Sequence, residues 1–184
     1  MHTKLFPTDL QTMEWLDFPA AGFTSHACGV IHRKNTPASN GMPLGSIDTG
    51  CIDLETDGTF GYCTIFNSHV PRRGPLNLPF LGLRIQNEQK GWGETWVLST
   101  RKLTPEPDIQ VNRGGYKPKR AYPAEDIQYW GHYPVADLEY EMDCPISVGL
   151  RAWSPFVPGD VALSNTPGIV FEVRLRNTTN AAQK

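Results

Sequence analysis

The chain lacks the features of a membrane-spanning, exported or nucleic-acid-binding protein. Its apolar runs fall far short of the ~18 residues of a membrane-spanning helix, and the segment Met1–Trp15 lacks the apolar core of a signal peptide. The formal net charge is -2, and prolines interrupt the basic cluster Lys117, Lys119 and Arg120. Because phosphate binding relies on clustered basic residues, we predict no nucleic-acid partner. We also predict a soluble, cytoplasmic protein with no transmembrane segment.

Cysteine is scarce, and no cofactor-binding motif is present. The four cysteines, Cys28, Cys51, Cys63 and Cys144, form neither a CxxC pair nor a zinc pattern, so we expect buried or half-buried free thiols. The glycine-rich segment Gly41–Gly50 lacks the Gly-Lys-Ser/Thr ending of a phosphate-binding loop and leads into a strand. We therefore predict no metal site and no cofactor. The glycines are expected to permit tight turns and close backbone contacts.

What the chain does contain is turn residues between short apolar runs. It has 17 glycines and 16 prolines, and no long segment shows the period of an amphipathic helix. With 39% apolar and 20% charged residues it is typical of a globular protein, and its length suits one domain. We predict an all-β fold, an antiparallel β-sandwich without long helices.

The clearest predicted strands lie in the C-terminal third of the sequence. Apolar and polar residues alternate along residues 136–142, 146–152 and 169–175. Each segment is therefore expected to present one apolar face to a core. The opposite faces carry acidic residues in the first segment and mostly basic residues in the third, which favours ion pairs across strands.

A hairpin is predicted around Thr56-Asp57-Gly58, between strands at residues 47–54 and 59–66. A two-residue turn would set Leu54 against Gly61. A three-residue loop with a left-handed Gly58 instead collects the apolar side chains on one face, and we predict this register. It makes three cross-strand pairs: Leu54 with Phe60, Ile52 with Tyr62, and Cys51 with Cys63. The last pair would allow a cross-strand disulfide, and the sequence does not decide whether it forms.

Elsewhere the sequence is less regular. Leu81–Ile85 and Trp92–Leu98 are predicted strands, and residues 101–126 form a long polar, proline-rich connection. Residues 1–40 show no clear period. We predict that they form an irregular arm with at most one short strand near Gly29–His32.

Three groups of motifs occur in order along the chain. Residues 41–50 read GMPLGSIDTG, and residues 64–67 read TIFN. They are followed by Tyr133-Pro134, by LRAWSPFVPGD at residues 150–160 and by TPGIVFEVRLRN at residues 166–177. Together these motifs resemble the N-terminal β-sandwich of glycoside hydrolase family 116, the family of the non-lysosomal (bile-acid) β-glucosidase.

The resemblance implies a non-catalytic part of a larger enzyme. Family members are retaining β-glucosidases or related exo-glycosidases, some acting on glucosylceramide, and their catalytic glutamate and aspartate lie in a C-terminal (α/α)6 barrel. No position here matches either residue. Residues 41–184 are thus expected to be the partial first part of a supersandwich-like domain in a truncated chain. Its partner would be the catalytic domain, which binds the β-glucoside or glycolipid. Ser46 and Asp48 stand where the family usually has glycine.

Carboxylates are the natural candidates for glycoside hydrolysis, which needs two of them roughly 5–9 Å apart. Two acidic groups are present: Asp53, Glu55 and Asp57 at the hairpin tip, and Asp137, Glu139 and Glu141 on one face of a strand. We expect both groups to be solvated, with no apolar pocket that raises a pKa. His69 and His132 are expected to be isolated surface or capping residues. The sequence therefore predicts no catalytic residue and no hydrolysis by this chain alone, and it leaves substrate-binding residues unassigned.

Aromatic residues support an alternative function, a stand-alone carbohydrate-binding module, because flat rings stack on sugars. The candidates are three tryptophans, Trp92, Trp96 and Trp153, and a cluster of Tyr129, Trp130 and Tyr133. In the competing interpretations these rings fill the sandwich, or they form an interface with a neighbouring domain or another protein.

Overall fold

The computed structural model describes residues 16–18, 27–29, 31–65, 78–87, 92–101 and 121–184. Within these ranges the chain is built from short strands and one four-residue helix. The elements are β1 (Leu16–Phe18), β2 (Ala27–Gly29), β3 (Met42–Ser46), β4 (Gly50–Leu54), β5 (Thr59–Ile65), β6 (Leu78–Pro79), β7 (Gly82–Asn87), β8 (Trp92–Val97), β9 (Ala121–Pro123), β10 (Asp126–His132), β11 (Val135–Glu141), β12 (Ile146–Trp153), α1 (Val161–Ser164) and β13 (Val170–Asn177).

Two four-stranded antiparallel sheets make the sandwich. The C-terminal sheet has the order β10-β11-β12-β13, and the N-terminal sheet has the order β3-β4-β5-β6. A further sheet of β7, β8 and β9 contains the parallel pair β8–β9, and β1 pairs with β2. The predicted all-β, antiparallel sandwich without long helices is thus confirmed.

The core lies between the two four-stranded sheets. Alternation places Leu138 of β11 and Leu150 of β12 on the inner face of the C-terminal sheet, where they are buried. The same rows bury three smaller residues: Ala136, Val148 and Ala152. Leu44 and Leu54 of the N-terminal sheet belong to the same cluster. The inner faces predicted for β11 and β12 are thus confirmed. Burying these rows stabilises the fold, because it removes apolar surface from water.

Tyr129 joins the two sheets by hydrogen bonds. It lies on β10 of the C-terminal sheet and is buried. Its hydroxyl accepts a hydrogen bond from the backbone N–H of Met42 (N···O 3.1 Å) and donates one to the carbonyl of Leu54 (O···O 3.0 Å). Desolvation raises the pKa of this hydroxyl. Both hydrogen bonds of this buried hydroxyl therefore hold β3 and β4 against β10.

The β4–β5 hairpin has the predicted loop but not the predicted register. Leu54 pairs with Phe60, and Gly58 has a left-handed φ of +80°. Further along, β5 contains an extra residue beside Gly61, a β-bulge that shifts the pairing. At this bulge the carboxyl group of Glu55 fills the space beside Gly61, so a larger residue at position 61 would have to displace the Glu55 side chain.

The predicted pairs Ile52–Tyr62 and Cys51–Cys63 are therefore wrong. Ile52 stands opposite Cys63, and Cys51 stands opposite Thr64. Because successive side chains alternate between the faces of a strand, the two thiols point to opposite faces and form no disulfide. Both cysteines are free.

The first ordered strand of the N-terminal sheet begins earlier than predicted. β3 ends at Ser46, and residues 47–49 form a turn rather than the start of a strand. The Ser46 hydroxyl accepts hydrogen bonds from the backbone N–H groups of Asp48 (3.2 Å) and Thr49 (3.0 Å). Ser46 therefore stabilises this turn.

Part of the predicted irregular arm is ordered on the sandwich. Ile31 is buried, and His32 exchanges backbone hydrogen bonds with Tyr129, with N···O distances of 2.7 and 2.9 Å. β1 and β2 form a short antiparallel ladder. The domain boundary at residue 40 stays a prediction.

The connection predicted over residues 101–126 contains regular structure at its end. β9 pairs with β8, and β10 begins at Asp126. Several predictions fall outside the described residues: those on residues 102–120, on His69, Phe66 and Asn67, and on the side chains of Cys28 and Trp92.

Candidate docking surface

Asp137 is buried rather than solvated, contrary to the prediction. It is 2% exposed, and its two oxygens accept hydrogen bonds from Nε and Nη2 of Arg151, both at 2.7 Å. His132 is buried as well, not isolated at the surface, and its Nε2 lies 3.5 Å from Asp137 Oδ2. Burial opposes ionisation, but the hydrogen bonds from Arg151 and His132 outweigh it and lower the pKa of Asp137. Such a carboxylate stabilises the sheet and is a poor proton donor.

The hairpin carboxylates also differ from the prediction. Burial raises the pKa of Asp53, and burial together with the charges of Asp53 and Asp57 raises the pKa of Glu55. Asp57 is engaged within the loop, where Oδ1 accepts hydrogen bonds from Thr59 N (3.0 Å) and Oγ1 (2.6 Å). Its Oδ2 lies 3.0 Å from Arg101 Nε. The sequence predicted solvated carboxylates with no apolar pocket to raise a pKa, whereas burial raises the pKa of both Asp53 and Glu55. The contacts of Asp57 are those that stabilise the folded loop.

The aromatic platform proposed for sugar binding is largely buried. Trp96 is 4% exposed and packs on Tyr122, with ring centroids 6.0 Å apart. Two further rings are buried: Tyr129 and Trp130. Trp153 is half-buried, and Tyr133 is exposed. Because a buried ring cannot stack on a sugar from solvent, Trp96, Tyr129 and Trp130 cannot form such a platform, and Tyr129 belongs to the core of the sandwich.

Exposed apolar side chains gather at one end of the sandwich. Three chain segments supply them: the β3–β4 turn, the β10–β11 turn and the segment between β12 and β13. The exposed fractions of these residues lie between 37% and 69%. We call this surface the apolar end, and it consists of Ile47, Tyr133, Phe156, Val157, Val161 and Leu163.

Hydrogen bonds hold the segment after β12 in one conformation. The Ser164 hydroxyl accepts a hydrogen bond from Val157 N (3.0 Å) and donates one to Val157 O (3.1 Å). Asp160 is the N-cap of α1, and its Oδ1 accepts a hydrogen bond from Leu163 N (2.9 Å). The side chains of Ser164 and Asp160 are therefore used within the segment, whereas Phe156, Val157, Val161 and Leu163 are exposed.

The segments of the apolar end are also joined to one another. Two hydrogen bonds connect the β3–β4 turn with the segment after β12: Ile47 N to Ser164 O (3.3 Å) and Asn165 Nδ2 to Asp48 Oδ2 (3.0 Å). The rings of Tyr133 and Phe156 meet edge to face, with centroids 5.3 Å apart. A surface fixed in this way loses little conformational freedom when a partner binds.

The family comparison matches the part of the chain that carries this surface. A family model described as "beta-glucosidase 2, glycosyl-hydrolase family 116 N-term" matches residues 41–184, more than half of the chain. The chain belongs to glycosyl-hydrolase family 116. A search of curated proteins found no match. A domain of this N-terminal kind implies a catalytic domain in its parent enzyme.

The motif LRAWSPFVPGD supplies two residues of the apolar end of this family 116 domain, Phe156 and Val157. Residues 150–153 of the motif belong to β12, and residues 154–160 lie between the strands predicted at 146–152 and 169–175. The apolar pair Phe156-Val157 is flanked by Pro155 and Pro158. This is a loop signal, because proline lacks a backbone N–H for a ladder. Apolar residues in a proline-bounded loop are the signal that would have indicated an exposed surface.

An apolar cleft lies beside the apolar end of the family 116 domain. Its volume is about 470 Å³, and it opens between the N-terminal sheet and the chain leading into β13. Its larger apolar lining residues are Leu44, Ile52, Ile169 and Phe171.

The described residues offer neither a metal site nor a membrane-spanning helix. They contain no group of three or more His, Cys, Asp and Glu side chains placed to hold a metal ion. No helix among them has the length and apolar character needed to cross a bilayer.

Proposed function

We propose that this chain is the non-catalytic N-terminal sandwich segment of a retaining β-glucosidase of the glucosylceramidase-like type. It supports an (α/α)6 catalytic domain that hydrolyses β-glycosidic bonds. That domain supplies the nucleophile and the acid/base residue, and it holds the β-glucoside or glycolipid. The sandwich contributes a rigid surface on which the catalytic domain docks.

The apolar end is the observation that supports this proposal. Val161 and Leu163 are 69% and 42% exposed on a helix whose N-cap and loop contacts are already made. Contiguous apolar surface on an ordered frame is typical of interfaces between domains and proteins. We propose that the catalytic domain covers this surface.

Activity of the purified chain is the first test. We expect residues 1–184 to show no turnover of an aryl β-glucoside, because the described carboxylates are engaged in loop and sheet contacts. The longer product that includes the downstream domain is expected to hydrolyse the same substrate. Turnover by the 184-residue chain alone would contradict the non-catalytic role.

The identity of the partner is tested by reading the coding sequence beyond codon 184. We expect more strands followed by a long helical domain with acidic residues in its loops. A stop codon directly after Lys184 would contradict the enzyme role for this product.

Docking is tested with a double variant of the apolar end, Val161→Asp with Leu163→Asp. Binding to the separately produced catalytic domain should weaken by roughly 30-fold, the equivalent of losing one hot spot of about 2 kcal/mol. The matched control is Leu175→Asp, an exposed apolar residue on β13, away from the apolar end. Equal weakening by the control and the double variant would show that the apolar end is not the interface.

A further inference from the structure

The segments that form the apolar end carry charge of one sign only. The β3–β4 turn and residues 154–168 contain no lysine, arginine or histidine. They contain two acidic residues, Asp48 in the turn and Asp160 directly before α1, and both are exposed. Each adjoins an apolar residue of the surface, Ile47 in the first case and Val161 in the second. Two carboxylates therefore border the apolar end.

Uncharged groups hold both of these carboxylates in place. Asp48 Oδ2 accepts a hydrogen bond from the side-chain amide of Asn165 (3.0 Å). Asp160 Oδ1 accepts one from the backbone N–H of Leu163 (2.9 Å). Within the part of the chain that the structure describes, neither carboxylate forms an ion pair with a basic side chain. Their charges are therefore balanced chiefly by water.

Other carboxylates of the described chain have an arginine beside them. Arg151 Nε lies 2.7 Å from Asp137 Oδ1 on the C-terminal sheet, and Arg101 Nε lies 3.0 Å from Asp57 Oδ2 at the β4–β5 loop. These arginines are used where they stand. The carboxylates that border the apolar end differ, because no described basic group is placed to pair with them.

Covering the apolar end changes the surroundings of these two carboxylates. A partner surface that lies on Ile47 and Val161 removes water from the carboxylates next to them. A carboxylate that loses water without gaining a positive partner opposes binding. Two negative charges at one rim also attract a positive surface before contact. The partner surface that fits the apolar end is therefore apolar at its centre and basic at its edge.

We propose that the surface of the catalytic domain that covers the apolar end presents lysine or arginine side chains opposite Asp48 and Asp160. This inference rests on the proposed function and adds the chemistry of the partner surface to it. The apolar side chains supply contact area, and the two carboxylates orient the partner from two different segments. Because charges at the rim of an interface act mainly on the association rate, this rate is the quantity to measure.

Conservative substitutions can remove both charges and keep the local hydrogen bonds. Asp160→Asn leaves a side-chain oxygen for Leu163 N, and asparagine caps a helix about as well as aspartate does. Asp48→Asn likewise leaves an oxygen that can accept from the amide of Asn165. Circular dichroism and urea denaturation check that the double variant keeps the fold and the stability of wild type.

Stopped-flow measurement of association with the separately produced catalytic domain tests the proposal. The ionic strength is varied from about 0.01 to 0.15 M, over which the screening length falls from ~30 to ~8 Å. We expect the wild-type association rate to fall as salt is added. At low salt, Asp48→Asn with Asp160→Asn should associate roughly tenfold more slowly and respond less to salt, because the steering charges are gone.

The matched control is Glu125→Gln with Asp143→Asn, which changes the net charge by the same amount. Both residues are exposed. Glu125 precedes β10 and Asp143 follows β11, so they lie at the end of this strand pair away from its turn and from the apolar end. The control should associate about as fast as wild type. Equal slowing by the control would overturn the inference, because net charge and not the rim would then set the rate.

The outcomes separate this inference from the docking proposal. Association that responds neither to salt nor to Asp48→Asn with Asp160→Asn overturns the inference. The docking proposal still stands in that case if Val161→Asp with Leu163→Asp weakens binding. Binding that none of these variants changes overturns both, and so does a wild-type chain that fails to bind the catalytic domain at any concentration.

Discussion

At the scale of single residues, Asp137 carries a buried charge that hydrogen bonds stabilise. It stands opposite Arg151 on the neighbouring strand, and two hydrogen bonds of 2.7 Å join them. Asp137→Asn removes the carboxylate charge from this buried place and weakens both hydrogen bonds from Arg151. We therefore expect Asp137→Asn to lower the free energy of unfolding by about 3 kcal/mol at neutral pH, measured by urea denaturation.

The pH dependence of this effect has a definite sign. The folded pKa of Asp137 is lowered, whereas an unfolded aspartate titrates near ~3.9. Its stabilisation is therefore complete above about pH 4 and is lost as the pH falls through the lower folded value. The difference in stability between wild type and Asp137→Asn should shrink in that acid range. A difference that stays constant down to the acid transition would contradict this account.

A matched control is Glu141→Gln on the same strand. Glu141 Oε1 lies 3.2 Å from Arg33 Nη1, but both side chains are substantially exposed. Exposed ion pairs contribute about 0–1 kcal/mol, so this variant should remain close to wild type. A large effect of the control would show that charge removal on β11, rather than the buried pair, lowers stability.

At the scale of elements, alanine substitutions at two glycines measure the cost of backbone strain with and without steric overlap. Gly58 in the β4–β5 loop has φ +80°, and Gly159 before α1 has φ +87°. A Cβ on Gly58 would lie 2.5 Å from Leu98 O, whereas a Cβ on Gly159 would meet nothing within 4 Å. Gly159→Ala should lower the free energy of unfolding by about 1 kcal/mol, the cost of the left-handed conformation. Gly58→Ala should lower it by roughly 3 kcal/mol, because overlap adds to that strain.

Urea denaturation of the two alanine variants checks this comparison. Equal losses would mean that the hairpin loop moves away from Leu98 without penalty. Both losses would then come from backbone strain alone. The β4–β5 loop would not be closely packed against the chain after β8.

At the scale of the whole molecule, Tyr129 connects the two halves of the sandwich. Its hydroxyl accepts a hydrogen bond from Met42 N and donates one to Leu54 O. Tyr129→Phe should lower the free energy of unfolding by about 1–3 kcal/mol, because both backbone groups lose their partner. The control is Tyr62→Phe, since Tyr62 is exposed. Urea denaturation that shows equal small losses for both variants would contradict this connecting role.

One exposed apolar surface gives the whole molecule its proposed docking role. The apolar end is built from three segments and is held by hydrogen bonds. Because the three segments are joined to one another, the surface depends on the folded sandwich and not on a single element.

The sequence by itself determined the class of fold and three of the four strands of the C-terminal sheet, β11, β12 and β13. Alternation along β11 and β12 fixes which side chains can face a core, because a strand presents successive residues to opposite sides. The motifs of family 116 likewise depend only on residue order, and the family model matches the segment that contains them.

Tertiary structure alone decided the strand register beyond the hairpin loop. It also decided the burial and the pKa shifts of the charged residues. The bulge at Gly61, where the Glu55 carboxyl lies beside the glycine, is not encoded in the alternation of apolar and polar residues. Alternation gives Asp137 a face opposite the core, but its burial and its lowered pKa require Arg151 and His132 from neighbouring strands. Exposure of the apolar end was also decided at this level, because it depends on which surfaces the rest of the chain leaves uncovered.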